Sequence, residues 1–275
     1  MILKGDCLKK AKELSPLSIQ TVVTSPPYWG LRNYGEEKQL GQEDTPEEFV
    51  STLVSLFNII KDKLKDDGTV WVNIGDTYFG AKGGAWEGEN SITTGDTGSE
   101  YRIKKKAPPK HTYLKTKDLV GVPWMFASTM QKDGWYLRQD IIWHKPVPMP
   151  ESVNDRLQKS HEHIFLFSKK PKYYFDSAAI MLPSKDGQSM VRRHDVWDIP
   201  TSNYQGAHFA VFPEKLPELC IKASTREGDL VLDPFLGSGT TAYVAQRLGR
   251  KWVGIELNQE YIEIIKRRTA QQQLF

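Results

Sequence analysis

Residues 229–256 read DLVLDPFLGSGTTAYVAQRLGRKWVGIE, and no other stretch restricts the fold as much. The apolar run ending in Asp233 reads as a strand, and the segment through Leu248 as a helix. KWVGIE, residues 251–256, reads as a second strand closed by an acid, and NQEYIEIIKRRTAQQ as a closing helix. This is half of a doubly wound α/β sheet of the nucleotide-binding kind. Gly237 and Gly239 sit where strand turns into helix, a place where glycine admits positive φ and close approach of backbone to a ligand. Glu256 ends the next strand, where an acid commonly receives ribose hydroxyls. The loop matches neither the dinucleotide fingerprint nor the P-loop, which points to a nucleoside ligand without a pyrophosphate. Without a ligand the same residues would make a tight strand–helix turn.

A second constrained stretch is TVVTSPPYWG, residues 21–30. Ile19–Thr24 reads as a buried strand that stops at the prolines. Pro26 fixes its own φ and restricts Ser25 to extended conformations. A serine hydroxyl beside an exposed carbonyl can accept hydrogen bonds from an amine, and the Tyr28 ring can stack on a planar base. On these residues alone a plain strand terminator with core aromatics serves equally well.

Between the two, the helix signal over TPEEFVSTLVSLFNIIKDKLKDDG is clear. Thr45 is the expected N-cap, Pro46 the first helical residue, and Glu47 and Glu48 fill the first turn. Gly68 is expected to stop the helix, and TVWVNIG to form the next strand. A helix near Asp118–Gln131, strands near Trp135–Trp143 and His163–Phe167, and a helix at 213–225 complete the regular pattern. Two irregular regions interrupt it, 77–117 and 169–208. The first is rich in Gly, Ser and Thr and then in Lys and Arg, and is too long for an ordinary connection.

The net charge of +3 is compatible with a polyanionic partner without demanding one. Cys7 and Cys220 are too few for a disulfide framework or a cysteine zinc site, so no metal is expected. Cys220 reads as a core residue within a helix. The N-terminus lacks the features of a signal peptide, and no run is long and apolar enough to cross a membrane.

Taken together, SPPY at 25–28 and DPFLGSGTT at 233–241 resemble the amino-methylating DNA methyltransferases that use S-adenosylmethionine. The motif order, catalytic before cofactor, is similar to the permuted β group of that family. Gly5–Asp6, WHKPVPMP with Arg156, SHEHIFLFSK with Glu162, and HFAVFPEKLPEL extend the resemblance over nearly the whole chain. It implies one catalytic domain over 1–275, a Rossmann-like methyltransferase sheet with helices on both faces, and 77–117 and 169–208 as candidate DNA-recognition insertions.

The resemblance implies that Ser25, Pro26, Pro27 and Tyr28 are catalytic. Ser25 and the Pro26 carbonyl would accept the amine hydrogens of a flipped-out base, Tyr28 would stack on it, and Trp29 would wall the pocket. Asp6, Asp233, Phe235, Gly237, Ser238, Gly239, Thr240 and Glu256 would hold S-adenosylmethionine, with Phe209 and Lys215 at its carboxylate end. Asp6 serves as well as a helix N-cap. Lys104, Lys105 and Lys106 would neutralise phosphates, and Arg192 or Arg193 would reach a guanine edge; each is equally at home in a solvated basic loop.

Serine in the first motif position is typical of cytosine-N4 enzymes in the family and aspartate of adenine-N6 enzymes, which favours cytosine N4. The resemblance further implies double-stranded DNA as partner, leaves room for a homodimer and a cognate restriction endonuclease, and places the protein in the cytoplasm of a bacterium or archaeon or in a phage-infected cell. A DNA adenine-N6 methyltransferase is the alternative expectation, and an RNA or protein-amide methyltransferase or a non-catalytic DNA-binding module are the less favoured ones.

Overall fold

The computed structural model describes residues 1–30, 39–80, 111–201 and 212–270, and the backbone of 91–94 and 100–103. The chain begins with strand β1 (Ile2–Lys4), helix α1 (Cys7–Lys12) and strand β2 (Ile19–Thr24). Helix α2 (Pro46–Lys61) and strand β3 (Leu64–Ile74) follow, then an antiparallel hairpin, β4 (Ser91–Thr94) and β5 (Glu100–Ile103). Helix α3 (Val122–Lys132) leads to β6 (Tyr136–His144) and β7 (His161–Ser168). A single 3₁₀ turn (Ala178–Ile180) precedes three short strands, β8 (Leu182–Pro183), β9 (Met190–Val191) and β10 (Val196–Asp198). The chain ends α4 (Lys215–Ser224), β11 (Leu230–Asp233), α5 (Thr240–Arg247), β12 (Lys251–Glu256) and α6 (Gln259–Ala270).

Among the described residues eight strands form the central sheet, in the order β1-β12-β11-β2-β3-β7-β6-β10. Every pairing is parallel except those that β7 makes with β3 and β6, so β7 alone runs against the rest. The period-two alternation of side chains puts apolar residues on both faces. Val22, Val70, Val72, Phe165 and Phe167 face α1, α2 and α3, whereas Val23, Trp71, Ile164 and Leu166 face α4 and α5. The expected doubly wound α/β sheet is therefore present. The crossover through α2 leads to one side of β2, and that through α5 leads away on the other side of β11. The direction of winding reverses between these two adjacent strands, the place where such sheets form a ligand crevice at their carboxyl ends.

The start of α2 follows the expectation. Glu48 N–H donates to the Thr45 hydroxyl, Thr45 N–H donates to the Glu48 carboxylate, and Pro46 opens the helix. The end differs. The helix stops at Lys61, and Leu64 begins β3, so Gly68 lies inside a strand. A Cβ there would stand 2.6 Å from Leu64 Cγ and 2.9 Å from the Gln20 carbonyl oxygen, which makes Gly68 a packing glycine. Helix α3 begins at Val122 rather than Asp118, because Lys117 takes a positive φ of 75° and the Asp118 carboxylate closes a turn on Lys115 N–H. Gly121 and Val122 N–H groups then donate to the Asp76 carboxylate, which caps α3 from outside.

The region 169–208, expected to be irregular, contributes β10 to the edge of the central sheet, and β8 and β9 pair as a small hairpin. These strands have two or three residues each, too short to show a period. No helix among the described residues is long and apolar enough to cross a membrane.

Candidate active site

Strand pairing places the two singled-out stretches side by side. β2 and β11 are neighbours, with Thr21 opposite Val231 and Val22 opposite Leu232. At their carboxyl ends the Thr24 hydroxyl donates to the Asp233 carboxylate at 2.6 Å, and the Thr241 hydroxyl donates to the Val23 carbonyl. Ser25 follows directly, half-buried, and its hydroxyl has no hydrogen-bond partner among the described residues. Pro26 is buried and Pro27 half-buried.

The glycine loop turns as its composition requires. Gly237 and Gly239 take φ of 51° and 82°, and Gly239 N–H donates to the Leu236 carbonyl. The Glu256 carboxylate accepts from Gly237 N–H at 2.7 Å and from Asn258 N–H at 2.8 Å, so it lies against the loop. Burial pushes its carboxyl above the ordinary range despite these bonds. Gly5 N–H donates to the Glu256 carbonyl, which brings Asp6 to the same edge of the sheet. Asp6 caps α1, accepting from Lys9 N–H at 3.0 Å. Phe235 is half-buried, and its N–H donates to Asp233. Ser238 and Thr240 are buried, and Arg268 of α6 donates to the Ser238 carbonyl and the Thr240 hydroxyl. Lys215 sits exposed at the start of α4 and pairs with Glu218; among the described residues no hydrogen bond or ion pair joins it to the loop. Phe209, Lys104, Lys105 and Lys106 lie outside the described residues.

Asp233 is 2% exposed, and burial pushes its carboxyl up to about 6 against the lowering effect of its hydrogen bonds with Thr24, Thr241 and Phe235 N–H. A folded-state value above the unfolded one, about 3.9, gives a stability contribution that is full below about pH 4 and lost as pH rises through about 6. Asp233→Asn is therefore expected to flatten the pH dependence of the denaturation midpoint across that window. A slope equal to that of the unsubstituted protein would assign the titration to another group.

Tyr28 is the most thoroughly anchored member of its motif. Its hydroxyl donates to Glu162 at 2.5 Å, and Asn73 Nδ2 donates to the same carboxylate oxygen at 3.1 Å. Lys145 Nζ donates to the other oxygen at 2.5 Å. Burial alone would raise the Glu162 carboxyl, but the Lys145 ammonium and the bonds from Tyr28 and Asn73 outweigh it and hold it low. The Tyr28 ring also lies against Gly75, where a Cβ would stand 2.6 Å from the ring. Glycine at that strand exit leaves the room the ring occupies. The sequence marks Glu162 only as part of a similar stretch and does not single out Asn73 or Lys145. The available signal is polar side chains at the ends of otherwise apolar strands.

Trp29 packs into the core. It is 2% exposed, its indole N–H donates to the Glu43 carbonyl, and it stacks on Phe79 within the core. Arg193 donates to the Ile180 carbonyl and is half-buried, whereas Arg192 is exposed beside β9. Cys220 is enclosed and Cys7 buried, and burial pushes the Cys7 thiol up to about 12 and Cys220 higher still. Neither has the lowered pKa of a nucleophilic thiolate. Among the described residues no cluster of histidine, cysteine and carboxylate side chains can hold a metal ion.

A family model described as DNA methylase matches residues 19–267. The chain is 48% identical over 268 residues to the Type II methyltransferase M.SmaI of Serratia marcescens, covering 97% of this chain and 89% of that protein. It is 46% identical over 267 residues to M.Cfr9I of Citrobacter freundii, covering 97% and 86%. Among solved structures, the cytosine-N4-specific PvuII DNA methyltransferase superposes with a TM-score of 0.71 at 25% identity, covering 98% of this chain and 85% of that one. TTHA0409 of Thermus thermophilus, solved in complex with S-adenosyl-L-methionine, shares the fold with a TM-score of 0.68 at 24% identity over 98% of this chain and 93% of that one.

Proposed function

The chain belongs to the DNA methylase family of N6 and N4 methyltransferases and is a Type II DNA methyltransferase, and from that premise we propose that it methylates the exocyclic N4 of cytosine with S-adenosylmethionine as donor. The observation that carries this reading is the meeting of SPPY and the glycine loop at the carboxyl ends of β2 and β11, bridged by Thr24 and Asp233. Serine in the first motif position, and a solved neighbour named as cytosine-N4-specific, support the choice of base.

The crevice fits the donor. The positive-φ turn at Gly237 and Gly239 leaves the loop without side chains at two positions, and the Glu256 carboxylate lies beside it at the place where ribose hydroxyls are commonly received. Asp6, Asp233, Phe235, Gly237, Ser238, Gly239, Thr240 and Glu256 are the proposed holders. S-adenosylmethionine supplies an electrophilic methyl group on a sulfonium. Thr240 acts here through its place in the turn, because Arg268 already engages its hydroxyl.

The amine of a paired cytosine is engaged in base pairing, so the base must leave the stack, at about a few kcal/mol. The Tyr28 ring, fixed by Glu162 and Gly75, offers a face on which that base stacks. The Ser25 hydroxyl and the Pro26 carbonyl would accept the two amine hydrogens, which frees the nitrogen lone pair for methylation, and one of those hydrogens would leave as a proton to solvent as the nitrogen gains the methyl group. Positioning of two bound reactants then accounts for the acceleration. The regions 77–117 and 169–208 are the proposed readers of DNA, with exposed Arg192 as the base-reading candidate, and a restriction endonuclease of the same specificity is the proposed partner.

The test is digestion and mass spectrometry of DNA incubated with the protein and S-adenosylmethionine. N4-methylcytosine is expected. N6-methyladenine alone would overturn the choice of base, and methylation of RNA or protein without DNA would overturn the whole reading.

A further inference from the structure

The loop between β6 and β7, residues 145–160, carries three apolar side chains in water. Leu157 is 91% exposed, Met149 83% and Val147 77%. These are apolar side chains that a soluble protein ordinarily covers, and here they come together in one short connection. The loop leaves the sheet at the edge where the candidate active site lies. β6 ends at His144 and β7 begins at His161, directly paired, and the flanking Lys145 and Glu162 are the residues that support Tyr28.

The loop is braced along its length. Gln158 donates to the Met149 carbonyl at 2.8 Å, so Met149 and Leu157 are tied across it. Arg156 donates to Glu151 and to the Leu157 carbonyl, and its guanidinium lies 4.0 Å from the centre of the Tyr78 ring. Lys159 donates to the Asp76 carbonyl beside Gly75. Lys117 pairs with Asp155 at 2.6 Å, which ties the loop to the segment that follows Lys104–Lys110 in sequence. Apolar tips on a braced loop, rising from the sheet edge that carries Tyr28 and its supports, match the form of a wedge inserted between base steps.

We propose that Leu157, with Met149, enters the DNA helix beside the extruded base and fills the space it leaves. The occupant of this apolar surface is thus the base stack of the substrate. The inference rests on the proposed DNA methylation and adds residues that touch the duplex and not the reacting atoms. Their task is to offset the unstacking and unpairing of the target.

The experiment compares single-turnover methylation of two duplexes, each carrying the site that the wild-type enzyme modifies. In one the target base is paired; in the other it is mispaired, so that extrusion is easy. A Leu157→Ala/Met149→Ala double variant is expected to slow at least about tenfold on the paired duplex, as a loss of about 1.4 kcal/mol implies, and to match wild type on the mispaired one. Leu157→Ile with Met149 retained is expected to keep the wild-type rate on both. Equal loss on both duplexes, or no loss on either, would overturn the wedge while wild-type activity leaves the methyltransferase reading standing. A wild-type enzyme for which no DNA substrate is found, so that no such duplex can be made, would overturn both.

Discussion

Ser25→Ala is expected to lower methyl transfer to DNA by about a hundredfold or more, with cofactor affinity unchanged within about twofold. The hydroxyl is half-buried at the end of β2 and has no hydrogen-bond partner among the described residues, so its removal unpairs nothing in the resting protein. The backbone around it is held by Pro26 and Pro27, and the Thr24–Asp233 bond is left in place. The loss should therefore appear in kcat, because the missing acceptor matters when the amine is drawn toward tetrahedral geometry. Single-turnover rates together with calorimetric titration of S-adenosylmethionine separate the two effects. A variant that turns over at the wild-type rate would remove Ser25 from the chemistry, and one that loses cofactor binding would reassign it to the donor site.

The largest effect on stability is expected at Glu162. Replacing it with alanine leaves Lys145, whose side chain is 20% exposed, without its counter-charge and deprives Tyr28 and Asn73 of their shared acceptor. Breaking such a buried pair typically costs about 3–5 kcal/mol. A Glu162→Gln/Lys145→Met double variant keeps an acceptor for Tyr28 and removes the stranded charge, so it should recover much of the loss. The pH dependence has a definite sign. Glu162 is held below its unfolded value, about 4.3, so its contribution is present above that pH and falls away as pH drops through the lower, folded-state value. Denaturant melts from about pH 3 to about pH 7 measure this. A double variant as unstable as Glu162→Ala would show that the stranded Lys145 charge is not the cause.

The parts of the molecule visible in sequence are those in which local chemistry speaks for itself. Thr45, Pro46 and Glu48 specify the start of α2 within four residues, and DPFLGSGTT with Glu256 specifies a turn between two strands. The end of α2 is hidden because Leu64 continues the helical spacing while belonging to a strand, and Gly68 is placed by contacts from Gln20 and Leu64 rather than by a turn. Within the site, Ser25 to Tyr28 stand out through their prolines. Their supports do not: Asn73 on β3, Glu162 on β7 and Lys145 just past the end of β6 meet only because those three strands are adjacent. Trp29 packs inward on Phe79, a direction that an aromatic beside a loop motif does not mark in the sequence.

The central sheet also settles how it can meet other sheets. Its outermost strands, β1 and β10, have three residues each, Ile2–Lys4 and Val196–Asp198. An edge so short presents few open amide and carbonyl groups, and Lys4 and Asp198 place a charge on each. Two copies laid edge to edge would gain only a brief ladder, so the eight-stranded sheet is protected from growing by continuous strand pairing into its neighbours during folding or at high concentration.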